Sequence, residues 1–303
     1  MTILTLGVSY LLPHAACAGV DNIVAQIKNF HSYIKRGNYI NVEIIYSLQS
    51  DSFDTYIDVR SKILAYASNI PVSLYYAGTQ GVAISRNTVI TSSEGDYRWF
   101  LDIDCRLAES IDSFLDYISF YREPLLYLST VNIIRANISK VLGDMPPTIY
   151  RVSIYSLPDI LRIVANAATY NIVTSSKFLA DNPYLRFDPK LGLGTYYHQS
   201  DEALFLIYFF KAMLKARVAS FHSYSLASLV AESKSHLASG RALIASLESK
   251  GYVLAKSHSS FFITLPFLPF LSILFAFKFR KILGLTLSIK SVVKGYFVGA
   301  SSL

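Results

Sequence analysis

The sequence predicts an α/β fold: a mostly parallel central sheet flanked by helices, then a helical extension that is both apolar and basic. Three observations predict it. From residue 1 to about 225, short apolar runs alternate with stretches of helical period, the pattern of βαβ units. An acidic pair, Asp102 and Asp104, closes the fourth apolar run, and ligands of such sheets sit beyond the carboxyl ends of the strands. Composition then changes near residue 231. Residues 231–303 hold nine basic side chains (Lys234, Arg241, Lys250, Lys256, Lys278, Arg280, Lys281, Lys290, Lys294) and two acidic ones (Glu232, Glu248). That imbalance equals the net charge of +7 for the whole chain, so residues 1–230 are neutral.

Taken in order, Ile3–Tyr10 is an apolar run of strand length. No positively charged start precedes it and Pro13-His14 interrupts its continuation, so it reads as a buried strand rather than a signal peptide, implying a cytoplasmic protein. Ile23, Ile27, Phe30 and Ile34 recur at helical spacing. Val42–Tyr46 is a second strand, Asp58–Ala67 a helix and Val72–Tyr76 a third strand. Gly81–Ile90 (GVAISRNTVI) is a Gly-led turn into a helix, and Tyr97–Leu101 is the fourth strand. Leu107, Ile111, Phe114, Leu115 and Ile118 share one helical face, which predicts an amphipathic helix over Arg106–Tyr121. Further strand-like runs, among them Ile149–Ile154, surround the turn Gly143–Pro147. Residues 181–200 form a long loop bearing Gly and Pro, a length that marks function where the loop is ordered. Asp201 and Glu202 open an apolar helix and complement the positive end of its dipole.

Length and composition exclude some classes. The 303 residues suffice for one large domain or two small ones, and 52% hydrophobic against 16% charged residues excludes a disordered tail protein. Two cysteines, Cys17 and Cys105, exclude a disulfide scaffold and a four-cysteine zinc site. Nucleic acid is not an expected partner, because the basic residues lie amid apolar sequence rather than along a stripe with stacking aromatics. Phe261–Phe277 is uncharged, but as a helix its 17 residues would reach roughly 25 Å, short of a ~30 Å hydrocarbon core. Pro266 and Pro269 shorten the regular part further. The expectation is an interfacial segment at 257–294 whose lysines and arginines face anionic lipid, the alternative being a hairpin packed on the rest of the chain.

Four stretches carry the candidate chemistry: Gly81–Ile90, Tyr97–Leu107, Arg186–Leu206 and Phe221–Leu229. Two carboxylates at i and i+2 where a buried strand ends need a cationic partner, and a hard divalent ion sharing phosphate oxygens supplies one. Asp201-Glu202 caps a helix, or provides a general base for an acceptor hydroxyl. The Gly192-Leu193-Gly194 sequence just upstream lets a backbone approach a ligand closely.

The order of these stretches resembles glycosyltransferase family 2, of GT-A fold, over roughly residues 1–230, and is most similar to bacterial members that build capsule or O-antigen polysaccharides. The resemblance rests on Ser85-Arg86-Asn87 at a helix start, Asp102-x-Asp104 at a strand end, Phe187-Asp188 leading to Leu193-Gly194, the acidic pair and His222. It implies a metal-dependent, inverting transfer from a nucleotide-sugar, most simply a UDP-sugar, to a glycan or lipid-linked acceptor. It implies that Glu202 is the catalytic base and that Asp201 orients the acceptor. Asp102, Arg86, Asp51, Gly192 and Gly194 would bind the donor, and Asp104, Asp102 and His222 would hold Mg²⁺ or Mn²⁺. The tail at 257–294 would place the enzyme peripherally on the inner face of the cell membrane. The chain departs from the family pattern in two places: the acidic pair reads Asp-Glu rather than Glu-Asp, and the first strand ends in Ser9-Tyr10-Leu11-Leu12-Pro13. A non-catalytic scaffold on the same fold has no need of Asp102, Asp104 and Glu202 together. A sugar nucleotidyltransferase needs a basic Gly-rich loop after the first strand, and residues 11–20 (LLPHAACAGV) contain no Lys or Arg.

Overall fold

The computed structural model describes residues 2–12, 16–34, 40–67, 70–78, 81–107, 111–135, 138–142, 148–151, 164, 168–195, 197, 200–232, 240–261 and 285–301. The turn at 143–147, residues 152–154 and the apolar run from 262 onward with Lys278, Arg280 and Lys281 lie outside them.

Strands β1 (Thr2–Leu11), β2 (Ile40–Gln49), β3 (Val72–Tyr76) and β4 (Tyr97–Asp102) alternate with helices α1 (Ala16–Ile34), α2 (Phe53–Tyr66) and α3 (Gly81–Ser92). After them come β5 (Cys105–Leu107), α4 (Asp112–Phe120), β6 (Leu125–Arg135), β7 (Ile138–Leu142), β8 (Thr148–Arg151) and β9 (Ile172–Ser175). The last elements are α5 (Ser176–Asp181), α6 (Asp201–Lys215), β10 (Ser220–Glu232), α7 (Gly240–Phe261) and α8 (Leu285–Ala300). Among the described residues one sheet runs in the order β3-β2-β1-β4-β9-β6-β10-β5, with β7 on β6 and β8 on β10. Strands β3, β2, β1 and β4 are parallel, as are β6 and β10, while β9 runs antiparallel between β4 and β6.

Helices cover both faces of the sheet, which is why β1 and β4 read as continuous apolar runs. Along β4 the side chains alternate: Trp99 and Leu101 pack with Leu4, Leu6, Ile27 and Phe114 on one face, and Phe100 packs with Phe187 and Phe205 on the other. Asp102 has the parity of Phe100, so its side chain belongs to the α3 and α6 face, at the carboxyl end of the strand.

Two helix boundaries differ from the sequence expectation. Cys105 and Leu107 are buried on either side of the half-exposed Arg106, a period of two rather than 3.6, and they pair antiparallel with β10. The helix expected from Arg106 therefore begins only at Asp112. Helix α2 starts at Phe53, five residues before the expected Asp58, because the Ser52 hydroxyl accepts a hydrogen bond from the Thr55 amide and caps it.

Helix α7 packs on α6 and on α8. A Cβ at Gly251 would lie 1.8 Å from the Val292 carbonyl oxygen, and one at Gly295 would lie 1.8 Å from that of Glu248. The α7 and α8 backbones thus touch directly, and Lys294 adds an ion pair to the buried Glu248 at 2.9 Å. Helix α7 also shares a buried cluster with α6 and the loop before it, through Tyr252 and Val253. Gly251→Ala is expected to force these helices apart and cost about 1–3 kcal/mol or more, which a fall in melting temperature would register.

Candidate active site

Helix α3 brings the first functional group. In Ser85-Arg86-Asn87, the flanking residues fasten the helix and the middle one is aimed. The Ser85 hydroxyl donates to the Ser47 carbonyl of β2 at 2.7 Å. Asn87 is paired twice with the backbone of Phe187, donating to its carbonyl at 2.8 Å and accepting from its amide at 2.9 Å. Arg86 lies between them, 4% exposed, its guanidinium 5.5 Å from the centre of the Phe187 ring.

That guanidinium gathers three carboxylates from distant parts of the chain. Its Nη1 donates to Asp201 and, at 3.1 Å, to Glu202 Oε1, while Nη2 donates to Asp102 Oδ1 at 3.2 Å. The carboxyl end of β4, the middle of α3 and the first turn of α6 therefore meet at one point. Thr169, buried in a short 3₁₀ turn ahead of β9, donates its hydroxyl to Glu202 Oε1 at 2.8 Å. Its neighbour Tyr170 accepts a hydrogen bond from the Trp99 indole, so the turn is anchored to β4 as well.

The environment splits the protonation of the acidic pair. Burial pushes the Asp201 carboxyl up to about 8, with Arg86 opposing and the adjacent Glu202 reinforcing the rise. Glu202 moves the other way. Against burial, Arg86 and hydrogen bonds from Asp201 and Thr169 hold its carboxyl below the usual range. The two carboxyls titrate as a coupled pair, one step raised by burial and the other held low by Arg86 and hydrogen bonds. Asp102 is raised, by burial first and by Glu202, with Arg86 as the counterweight.

The remaining expected residues fall into two groups. Asp104 sits in the turn just past Asp102, and the charges of both bear on Cys105 and Tyr170. Asp51 is exposed at the carboxyl end of β2, two strands from β4 on the same edge of the sheet. His222 does not join them. It lies near the start of β10 in register with Leu126, Val173 and Trp99, three strand spacings or roughly 14 Å across the sheet from β4. Its Nδ1 is hydrogen-bonded to the Tyr117 hydroxyl among the α4 aromatics, on the opposite face from Asp102. Among the described residues no three His, Cys, Asp or Glu side chains converge as a ready-made metal cage.

Gly192 and Gly194 have φ values of 92° and 86°, in the left-handed region that favours glycine. The close approach they permit is to the protein itself. A Cβ on Gly192 would stand 3.1 Å from the Asp201 carboxyl carbon, and one on Gly194 would stand 3.0 Å from Gly81 Cα. The Val82 amide of α3 donates to the Leu193 carbonyl at 2.9 Å, so this loop seals the start of α3 against the start of α6. Thr169 belongs to no motif and gave no signal in the sequence. Asn87 stood in a recognised triplet, but its bond to Phe187 depends on a contact 100 residues away.

No protein-family model matches the chain, and no curated protein does. Solved structures do share its fold. Residues 1–349 of S. aureus TarS superpose with a TM-score of 0.54 at 13% identity, covering 100% of this chain and 91% of that one. The same fragment in complex with UDP gives 0.54 at 13% with the same coverage, and in complex with UDP-GlcNAc 0.51 at 14%, again over 100% and 91%. The expected fold is thereby established: a mostly parallel sheet flanked by helices, as in the TarS structure.

Two outcomes follow from the Arg86 cluster. Arg86→Met is expected to cost about 3–5 kcal/mol in urea unfolding, since it strands buried carboxylates. Arg86→Lys should recover only part, because one ammonium cannot fork to three partners. Between about pH 4 and 8 the folded chain holds an Asp201 proton that the unfolded chain has released, so stability falls as pH rises. Glu202, held low in the folded state, acts in the opposite sense only at the acid end. Melting temperature should therefore decline from pH 6 to pH 9, and Asp201→Asn should flatten that decline.

Proposed function

We propose that this chain is a glycosyltransferase that moves a sugar from a nucleotide-sugar donor, a UDP-sugar in the first instance, to a hydroxyl of a glycan acceptor. The observation that carries the reading is the convergence of Asp102, Asp201 and Glu202 on Arg86 at the carboxyl edge of the parallel strands, where α/β sheets bind their ligands. The likeness to a TarS fragment solved with UDP and with UDP-GlcNAc supports the choice of donor class.

In this reading the nucleotide lies along the edge from Asp51 to Asp102, with the diphosphate beside Asp102 and Asp104. Those two carboxylates would hold Mg²⁺ or Mn²⁺. The donor set fits such an ion: Asp102 and Glu202 place two negative charges against one guanidinium, Asp104 lies close by, and all the ligand atoms are hard oxygens. Such a cation, when bound, neutralises charge developing on the departing diphosphate. Glu202 accepts the proton of the acceptor hydroxyl, whose oxygen forms the new bond to the anomeric carbon as the bond to the diphosphate breaks. Attack opposite the leaving group inverts the anomeric centre. Arg86 keeps Glu202 ionised, and Asp201 retains its own proton next to it.

The family resemblance extends the proposal to bacterial surface polysaccharides of the capsule or O-antigen kind and to an acceptor carried on a lipid at the cytoplasmic membrane face. Support for the membrane comes from the sequence of 257–294 and from the outer side of α8, where Lys290, Phe297 and Val298 are exposed. Among the described residues no helix is long and apolar enough to cross a membrane.

Calorimetry with UDP in the presence and absence of Mn²⁺ tests the donor and cation together. Cation-dependent binding that disappears in Asp104→Ala is the expected result; equal binding with and without Mn²⁺ would remove the metal from the proposal. Glu202→Gln should leave UDP binding intact and lower the rate of sugar transfer by about 10²-fold or more. A variant within tenfold of the wild type would assign the base to another group.

A further inference from the structure

Nothing in the proposed chemistry calls on the C-terminal helices, yet α7 lies directly against the segment that delivers the acidic pair. We infer that Tyr252 and Ser249 of α7 are positioning residues for Glu202, acting through the loop 188–200. The inference rests on the glycosyl-transfer reading for the role of Glu202, while the contacts themselves stand independently of it.

Three contacts build the connection. The Tyr252 hydroxyl donates to Asp188 Oδ2 at 2.7 Å. Asp188 opens the loop: its Oδ1 accepts from the Lys190 amide at 2.9 Å and its carbonyl accepts from the Leu191 amide at 2.9 Å. Ser249, fully buried, donates to the Ser246 carbonyl at 2.8 Å, which commits its only proton. The contact of 3.3 Å between the Ser200 and Ser249 hydroxyls is therefore donated by Ser200. The third contact is apolar. Leu191 and Tyr197 from the loop and Leu204 and Ile207 from α6 form one buried cluster with Tyr252 and Val253.

The loop needs this support. Ser200, the residue before Asp201, has a φ of 75°, a left-handed conformation that costs a non-glycine residue roughly 1 kcal/mol. Its carbonyl nevertheless accepts from the Leu204 amide at 3.1 Å and closes the first turn of α6, so the strained residue sets where Asp201 and Glu202 point. Among the described residues, the Ser249 hydroxyl contacts Ser200 itself, and the buried cluster holds the chain on either side of it. Glu202 must be held to within a few tenths of an ångström to share Arg86 and Thr169 and still meet an acceptor. A reaction that depends on orientation is sensitive to slack at this point even where the fold is intact.

Tyr252→Phe and Ser249→Ala remove single oxygens and keep the packing. Each is measured in the full chain by hydrogen exchange and by steady-state transfer from UDP-GlcNAc. Exchange of the Lys190, Leu191, Gly192 and Thr195 amides should rise about tenfold in both variants, with β1 to β4 unchanged. The transfer kcat should fall about tenfold with the donor KM within twofold. Loop exchange at the wild-type rate in both variants would overturn the inference, as would a higher donor KM at unchanged kcat, which would make α7 a donor-binding element instead. Should the wild-type chain transfer no sugar from UDP-GlcNAc, exchange alone decides whether α7 positions the loop, and the donor assignment is what fails.

Discussion

One buried guanidinium organises this molecule. Arg86 is 4% exposed and bonded to carboxylates contributed by β4 and by the start of α6. An uncompensated charge at such depth costs several kcal/mol, and so does each carboxylate brought to meet it. The four groups are tolerable only together, so α3, β4 and α6 cannot separate without stranding a buried charge. The same arrangement prevents all three acids from behaving alike. Sharing Arg86, the adjacent carboxyls shift in opposite directions, so a chemically asymmetric pair results from neighbouring residues in the sequence.

The sheet explains how such distant residues meet. Its parallel half, β3-β2-β1-β4, directs every carboxyl end to one edge, and Asp51 and Asp102 arrive there by strand direction alone. Past β4 the direction reverses at β9, and the antiparallel strand carries the 3₁₀ turn with Thr169 ahead of it. That reversal delivers Thr169 to the same edge from the opposite chain direction, so that α6 finds a hydroxyl waiting opposite its first acidic turn.

Much of this was legible in the sequence because it is local. The parallel strands are apolar runs bounded by turns, and Asp102, Asp104, Asp201 and Glu202 stood where runs ended or helices began. What escaped was whatever depends on register between distant segments. Thr169 looks like any threonine until β9 pairs with β4. His222 stands where the family resemblance implies a ligand, but the parity of β10 turns it toward Tyr117 and away from Asp102. Gly192 and Gly194 signal close approach in the sequence, yet no sequence pattern distinguishes a ligand from the protein's own helix as the thing approached. Arg106 was misread for a simpler reason: three residues of alternation are too few to outweigh a good helical face that follows.

Trp99, the only tryptophan in the chain, is fully buried, three residues before Asp102, with its indole nitrogen donating to Tyr170 in the turn that also carries Thr169. Its emission belongs at the blue end of the tryptophan range, and the turn that grips Glu202 is part of its immediate surroundings. The protein therefore contains a native optical reporter of the Arg86 cluster. A change in that turn as ligands arrive would alter fluorescence without any label being attached.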